Sequence, residues 1–100
     1  MKNIINKLNK QFESRVRLGI MSVLSVNEAM DFMAMKDLIN TTDGNLASHL
    51  SALERNGLIA VKKQFIGRKP NTRYSITRKG SKAFKEHLEY LSILIDQQTK

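Results

Sequence analysis

The sequence predicts one mainly α domain with a small β-hairpin, an α+β arrangement closed by a long C-terminal helix. Three observations carry this. Apolar residues recur at helical spacing up to Gly57 and again beyond Thr77, the period drops from 3.6 to 2 between them, and no linker, repeat or low-complexity run divides the chain. A length of 100 residues with 41% hydrophobic content suits a single core, so residues 1–100 are expected to form one domain.

At the N-terminus Ile5, Leu8 and Phe12 fall at helical spacing, and Ser14 can cap a second stretch with Val16, Ile20, Met21 and Leu24 as its apolar set. One bent helix or two abutting ones are expected here. Asn27 ends the pattern, residues 29–32 read as a short strand, and a brief helix runs through Met35, Leu38 and Ile39 to Asn40. Met30, Met33 and Met35 read as core filler. The turn at residues 40–44 then combines a cap at Thr42 with an acid, Asp43, that complements the new helix dipole. Leu46, Leu50 and Leu53 recur at i, i+4 and i+7, and Asn56-Gly57 is a left-handed stop signal. Two helices joined by so short a turn form a helix-turn-helix.

Beyond Gly57, Ile59, Val61 and Lys63 alternate with Ala60, Lys62 and Gln64, and Tyr74 and Ile76 alternate with Arg73, Ser75 and Thr77. Residues 66–71 between these strands read as a hairpin tip, with Gly67, Pro70 and Asn71 as turn formers and Arg68 and Lys69 at its apex. Thr77 can cap a last helix of roughly 30 Å, more than a core of this size needs. Along it Phe84, Leu88, Leu91 and Ile95 form a stripe that Tyr90, Ile93 and Leu94 widen, and Ile4, Ile5 and Leu8 offer a similar face at the other end. So much apolar surface predicts a homodimer joined through Ile5, Leu8, Phe84, Leu88, Leu91 and Ile95.

Charge is distributed in blocks. Residues 1–54 are neutral overall, residues 55–85 hold ten cations and no Asp or Glu, and the net charge is +8. A block of one sign favours a polyanionic partner, because each neutralised phosphate releases condensed counterions. There is no cysteine, which excludes disulfides, thiol catalysis and cysteine-based zinc sites. The chain reads as soluble and cytoplasmic, with no signal peptide or membrane span. His49 and His87 stand apart with no partner constellation, and Asp31, Asp37 and Asp43, six apart, match no calcium loop. His87 reads as a lone surface or interface residue, and the three acids as caps and solvated charge. No enzyme, metal or cofactor is expected.

Helix, short helix, turn, amphipathic helix, basic hairpin and long helix together make a winged helix-turn-helix. B-DNA's major groove admits one α-helix, and a cationic hairpin can grip the phosphates beside it. With the leucines inward, Asn45, Ser48, Ala52 and Arg55 turn outward, and Gly44, His49 and Ser51 lie at the margins. Asn can pair bidentately with adenine. His49 is a groove contact or a partly buried packing residue, and Arg17 reaches a phosphate or pairs with an acid. Arg78, Lys79, Lys82 and Lys85 either extend the DNA footprint or simply solvate the start of the last helix, whose dipole they oppose as cations kept for an external partner would.

Thr42-Asp43-Gly44-Asn45-Leu46, Gly67-Arg68-Lys69-Pro70 and Tyr74-Ser75-Ile76-Thr77 followed by Gly80 resemble, in this order, a compact family of winged-helix regulators. The family is related to the ArsR, MarR and PadR repressor groups, and the resemblance runs from about Val16 to Phe84. It implies a homodimeric regulator on a near-palindromic double-stranded DNA site. Thr42, Gly44, Asn45, Ser48, His49 and Arg55 would face the groove, and Lys62, Arg68, Lys69 and Arg73 would lie on the wing. Having no cysteine, the chain departs from the metal-sensing ArsR branch, and the resemblance identifies no small-molecule effector and no sign of regulation. Two other readings stay open: a winged helix that docks on an acidic protein surface, and RNA binding with Phe65 and Tyr74 as stacking residues.

Overall fold

The computed structural model describes residues 2–99. Its N-terminal segment is two helices separated by a 3-10 turn rather than one bent helix. After α1 (Lys2–Lys7) the Asn9 side chain accepts from the Gln11 N–H and opens a single turn at Lys10–Phe12. Ser14 then accepts from the Arg17 N–H and caps α2 (Arg15–Ser25). The turn delivers Phe12 into the core, edge-on to Phe84 with ring centroids 5.6 Å apart.

The short strand is present as β1 (Met30–Asp31), but Phe32 already belongs to α3 (Phe32–Leu38), because Asp31 accepts from the Ala34 N–H and starts the helix. Met35 is fully buried whereas Met33 is exposed. Residues two apart on a helix point to opposite sides, so the two cannot both fill the core. Leu38 is likewise exposed, and Ile39 takes the buried place one turn after Met35.

Thr42 caps α4 (Asp43–Arg55), accepting from the Asn45 N–H, and Asp43 pairs with Lys36 across the turn. Leu46, Leu50 and Leu53 are buried in one cluster with Ile20, Met21 and Leu24 of α2. At the far end Leu58 N–H bonds back to the Leu53 carbonyl (3.0 Å) and Gly57 N–H to that of Glu54 (2.9 Å). This cap needs a left-handed residue, and Gly57 supplies it at φ 74°.

Strands β2 (Ile59–Ile66) and β3 (Lys69–Ile76) pair from Ile59↔Ile76 to Ile66↔Lys69, with β1 on the other side of β3. The turn is therefore only Gly67-Arg68, shorter than the tip expected from residues 66–71. Gly67 at φ 65°, followed by a residue with negative φ, is the two-residue turn whose twist matches the strands. Pro70 lies within β3, opposite Phe65. In such a hairpin the pair closing the turn exchanges backbone hydrogen bonds and the next does not, so Pro70's missing N–H costs the ladder nothing.

Helix α5 (Arg78–Thr99) starts at Thr77, whose hydroxyl accepts from the Gly80 N–H and donates to the Gly57 carbonyl. A Cβ on Gly80 would stand 1.9 Å from the Leu58 carbonyl oxygen, so no other residue permits this approach. Further along, His87 is buried at 6% exposure, not a surface residue. Its Nδ1 accepts from the Asn9 N–H at 3.1 Å and its ring meets Phe12 edge-on. α1 packs on α5, with the Lys7 ammonium over the Tyr90 ring. The α5 stripe is thus divided: Phe84 and Leu94 are taken up inside their own domain, and Leu88, Leu91 and Ile95 stay exposed. The described residues extend 58 × 26 × 21 Å, with α5 as the long element. No helix among them is long and apolar enough to cross a membrane.

Two outcomes follow. Gly80→Ala is expected to lower stability by at least the ~1–3 kcal/mol usual for overpacking, while Ser81→Ala next to it does little. A thermal melt of Gly80→Ala at the wild-type Tm would contradict the close approach. Burial holds the His87 pKa below the usual 6.5, against a weaker upward pull from Glu13. The unfolded chain therefore binds this proton at a higher pH than the folded one, and His87's contribution, complete above about pH 6.5, is lost as pH falls below it. His87→Asn, which keeps an acceptor near Nδ1, should flatten that acid-side fall in Tm; an unchanged pH slope would show that His87 does not carry it.

Candidate nucleic-acid interface

Burial of the leucine stripe fixes the roll of α4 and so decides which side chains leave the surface. Gly44, Ser48, Ser51 and Arg55, spaced by four, three and four residues, form the exposed rank opposite it. Ser51, placed at the margin by sequence reasoning, belongs to this rank. Nothing among the described residues lies within 4 Å of a Cβ built on Gly44, so the backbone there is open to close approach. Thr42 and Asn45 are exposed at the helix start. The Asn45 amide donates one N–H to the Thr41 hydroxyl at 2.7 Å, which orients the side chain. Its carbonyl and second N–H are the acceptor and donor that adenine's major-groove edge requires.

The flank of α4 towards α2 is occupied by a polar network. Arg17 Nε donates to His49 Nδ1 (2.9 Å) and its Nη1 to Gln11 Oε1, while Asn56 donates both to Gln11 and to the Ala52 carbonyl. Ala52, expected to point outward, is buried where Asn56 folds back over that turn. Arg17 thus ties α2 to α4 through His49 and to the 3-10 turn through Gln11. His49 is half-buried, and burial together with the Arg17 charge lowers its pKa. The imidazole is neutral, with Nδ1 engaged and Nε2–H as its remaining donor.

On the wing, Arg68 and Lys69 are exposed at and beside the turn. Lys62 and Arg73 face each other across the strands further down, where like charges repel unless an anion lies between them. Arg73 is half-buried and donates to the Ala29 carbonyl at 3.2 Å, so it sits at the wing's base rather than free at its edge. Lys62, Gln64, Arg73 and Ser75, with Glu28 and Ala29, line an open hollow of about 420 Å³. A second hollow, of about 470 Å³, lies at the start of α4 between Arg15, Val16, Ile39, Asn40, Thr41 and Asn45. Sequence reasoning did not place Arg15 or Asn40 at the site: Asn40 lies in the turn that leads into α4, and Arg15 comes near Asn45 through the packing of α2 on α4, which no local signal records.

Lys79 has an internal role: its ammonium donates to the Asn56 carbonyl at 2.9 Å, where the C-terminal end of α4 attracts a cation. Lys82 stands 4.0 Å from Glu86 one turn on. Tyr74 is packed against the core, with burial raising its pKa first and Glu54 second, so its ring is not a free stacking platform. Of the residues expected at a dimer interface, Ile5, Leu88, Leu91 and Ile95 are exposed, Leu8 is half-buried and Phe84 is core.

Comparison with known proteins agrees with this geometry. The family model described as a winged helix DNA-binding domain matches residues 16–95. An uncharacterized protein of Methanocaldococcus jannaschii is 40% identical over 79 residues, which span 79% of this chain and 86% of the relative. The solved structure of a transcriptional regulator homologue from Pyrococcus horikoshii OT3 superimposes with a TM-score of 0.84 at 35% identity, covering 97% of this chain and 94% of that one. A MarR-family regulator from Enterococcus faecalis V583 shares the fold at a TM-score of 0.76 and 19% identity, over 98% and 87% of the two chains. The chain belongs to the winged helix DNA-binding domain family.

Proposed function

We propose that this chain is a homodimeric transcriptional regulator that binds double-stranded DNA sequence-specifically, with α4 in the major groove and residues 65–73 of the wing on the flanking backbone. The observation that carries this reading is the roll of α4. Its three leucines are fully buried, so a rank of small polar side chains ending in Arg55 is the surface left to present. Small side chains allow a helix to seat closely against base edges, and Asn45 and Ser48 have the hydrogen-bonding groups to read them. The ten cations between Arg55 and Lys85 supply the attraction for phosphate that holds such a helix in place.

The dimer rests on α5. With Leu94 and His87 turned to α1 and the 3-10 turn, the neighbouring face of α5 still presents Leu88 at 49% and Ile95 at 60% exposure, with Leu91 between them. Pairing two such faces across a two-fold axis buries them and sets the two α4 helices roughly 34–36 Å apart, one turn of DNA. The matching site is an inverted repeat.

Base reading and backbone gripping should separate by position. Asn45→Ala is expected to cost about 1–3 kcal/mol on the preferred duplex and much less on random duplex, whereas Arg68→Ala weakens both alike. Titrations in which Asn45→Ala leaves the preference among duplexes intact would overturn the docking orientation. Sedimentation equilibrium should find the wild type dimeric at micromolar concentration and Leu91→Glu monomeric; a Leu91→Glu dimer would remove this face of α5 from the interface.

A further inference from the structure

The outward face of the sheet carries a hollow that recognition by α4 does not use. Residues two apart on a strand share a face, so Lys62 and Gln64 stand with Arg73 and Ser75, while Tyr74 and Ile76 on the other face pack on the core. With Glu28 and Ala29 from the loop between α2 and β1, these four line the open hollow of about 420 Å³. Lys62 and Arg73 are direct partners in the register, two cations side by side at the base of the wing.

Like charges placed directly opposite destabilise a sheet, and the nearby acids do not answer these two. Asp31 is Arg73's register partner on β1, but its carboxylate is turned to α3, where it accepts from the Ala34 N–H at 2.8 Å. Glu28 borders the hollow, yet no ion pair among the described residues involves Glu28, Lys62 or Arg73. The Arg73 guanidinium is held in place by its bond to the Ala29 carbonyl, which leaves its other N–H groups to meet a ligand. The half-buried Ser75 hydroxyl has no hydrogen-bond partner among the described residues.

Two cations and one carboxylate around a single hollow suit a ligand with an anionic and a cationic end. A DNA phosphate does not match: Glu28 would repel it, and the hollow falls in the range of roughly 300–1,000 Å³ that small-molecule sites occupy. We propose that the hollow binds a small zwitterion, a polar α-amino acid. Its carboxylate bridges Lys62 and Arg73, its ammonium pairs with Glu28, and Gln64 and Ser75 meet its side chain. The occupant relieves the cross-strand repulsion and ties the loop before β1 to both strands of the wing. This site stands apart from the DNA-binding reading and does not depend on it.

The test is a titration of the full, isotope-labelled chain followed through its backbone amides, with L-glutamine as the probe. L-Glutamine should shift the amides of residues 28, 29, 62, 64, 73 and 75 and saturate in the millimolar range. N-acetyl-L-glutamine and L-glutamine amide, which each lack one of the two charges, should bind about tenfold more weakly or worse. Lys62→Glu, at an exposed position, should keep or raise the wild-type Tm and abolish binding. Glu28→Gln should weaken L-glutamine about tenfold while inorganic phosphate binds no more weakly than before. No shift with L-glutamine, or N-acetyl-L-glutamine binding as tightly as L-glutamine, would overturn the zwitterion site. Inorganic phosphate moving the same amides at equal affinity would also overturn it, making the hollow a seat for simple anions.

Discussion

Four chain segments meet at the joint between the end of α4 and the start of α5, and the geometry of the whole domain depends on their contact. Gly57 turns the chain out of α4 in a left-handed cap, and Leu58 carries it into the hairpin. The chain returns at Thr77, whose backbone N–H donates to the Leu58 carbonyl while its hydroxyl bridges the Gly57 carbonyl and the Gly80 N–H. Gly80 then lies against the same Leu58 carbonyl, closer than any side chain allows. Lys79 closes the arrangement on the Asn56 carbonyl. Each polar group of the joint is answered by another member of it, so the departure of the wing from α4 and the direction of α5 are set together.

Function follows from what this joint keeps in fixed relation. Upstream, the leucine stripe rolls α4 so that Ser48, Ser51 and Arg55 face out, while the Arg17, His49 and Gln11 network pins the opposite flank to α2. Downstream, the hairpin carries its cations away from the core, and α5 leads away with an uncovered apolar face. Helix α4, the wing and the exposed face of α5 are thus tied together through one joint. Internal ties also account for cations that looked reserved for a ligand: Lys79 and Arg73 both donate to backbone carbonyls, so the positive block is partly structural and partly presented outward.

Local chemistry was legible in the sequence wherever the determinant lay within a few residues. Thr42, Ser14 and Thr77 cap the helices they precede, Gly57 ends α4, and the change of period marks both strands. What escaped was set by tertiary contact. Ala52 is buried because Asn56 folds back on it, and His87 because α1 and the 3-10 turn cover its side of α5. The same covering takes Leu94 out of the expected surface stripe, and Phe12 takes Phe84. Pro70 misled as a turn former because proline in a strand is tolerated only at a non-bonded register position, and register depends on a turn that the sequence reading put at six residues, 66–71, and that is two. The candidate site was legible as a set of residue types on α4 and the wing, not as the hollow that joins Arg15 to Asn45.

The central claim is that two copies of α4 read DNA together in register. Selecting bound duplexes from a fully random library with the purified chain tests it most directly. The account predicts enrichment of an inverted repeat whose half-sites lie about one helical turn, roughly 10–10.5 base pairs, centre to centre. Recovery of no preferred sequence, or of a lone half-site with no partner at that spacing, would contradict it.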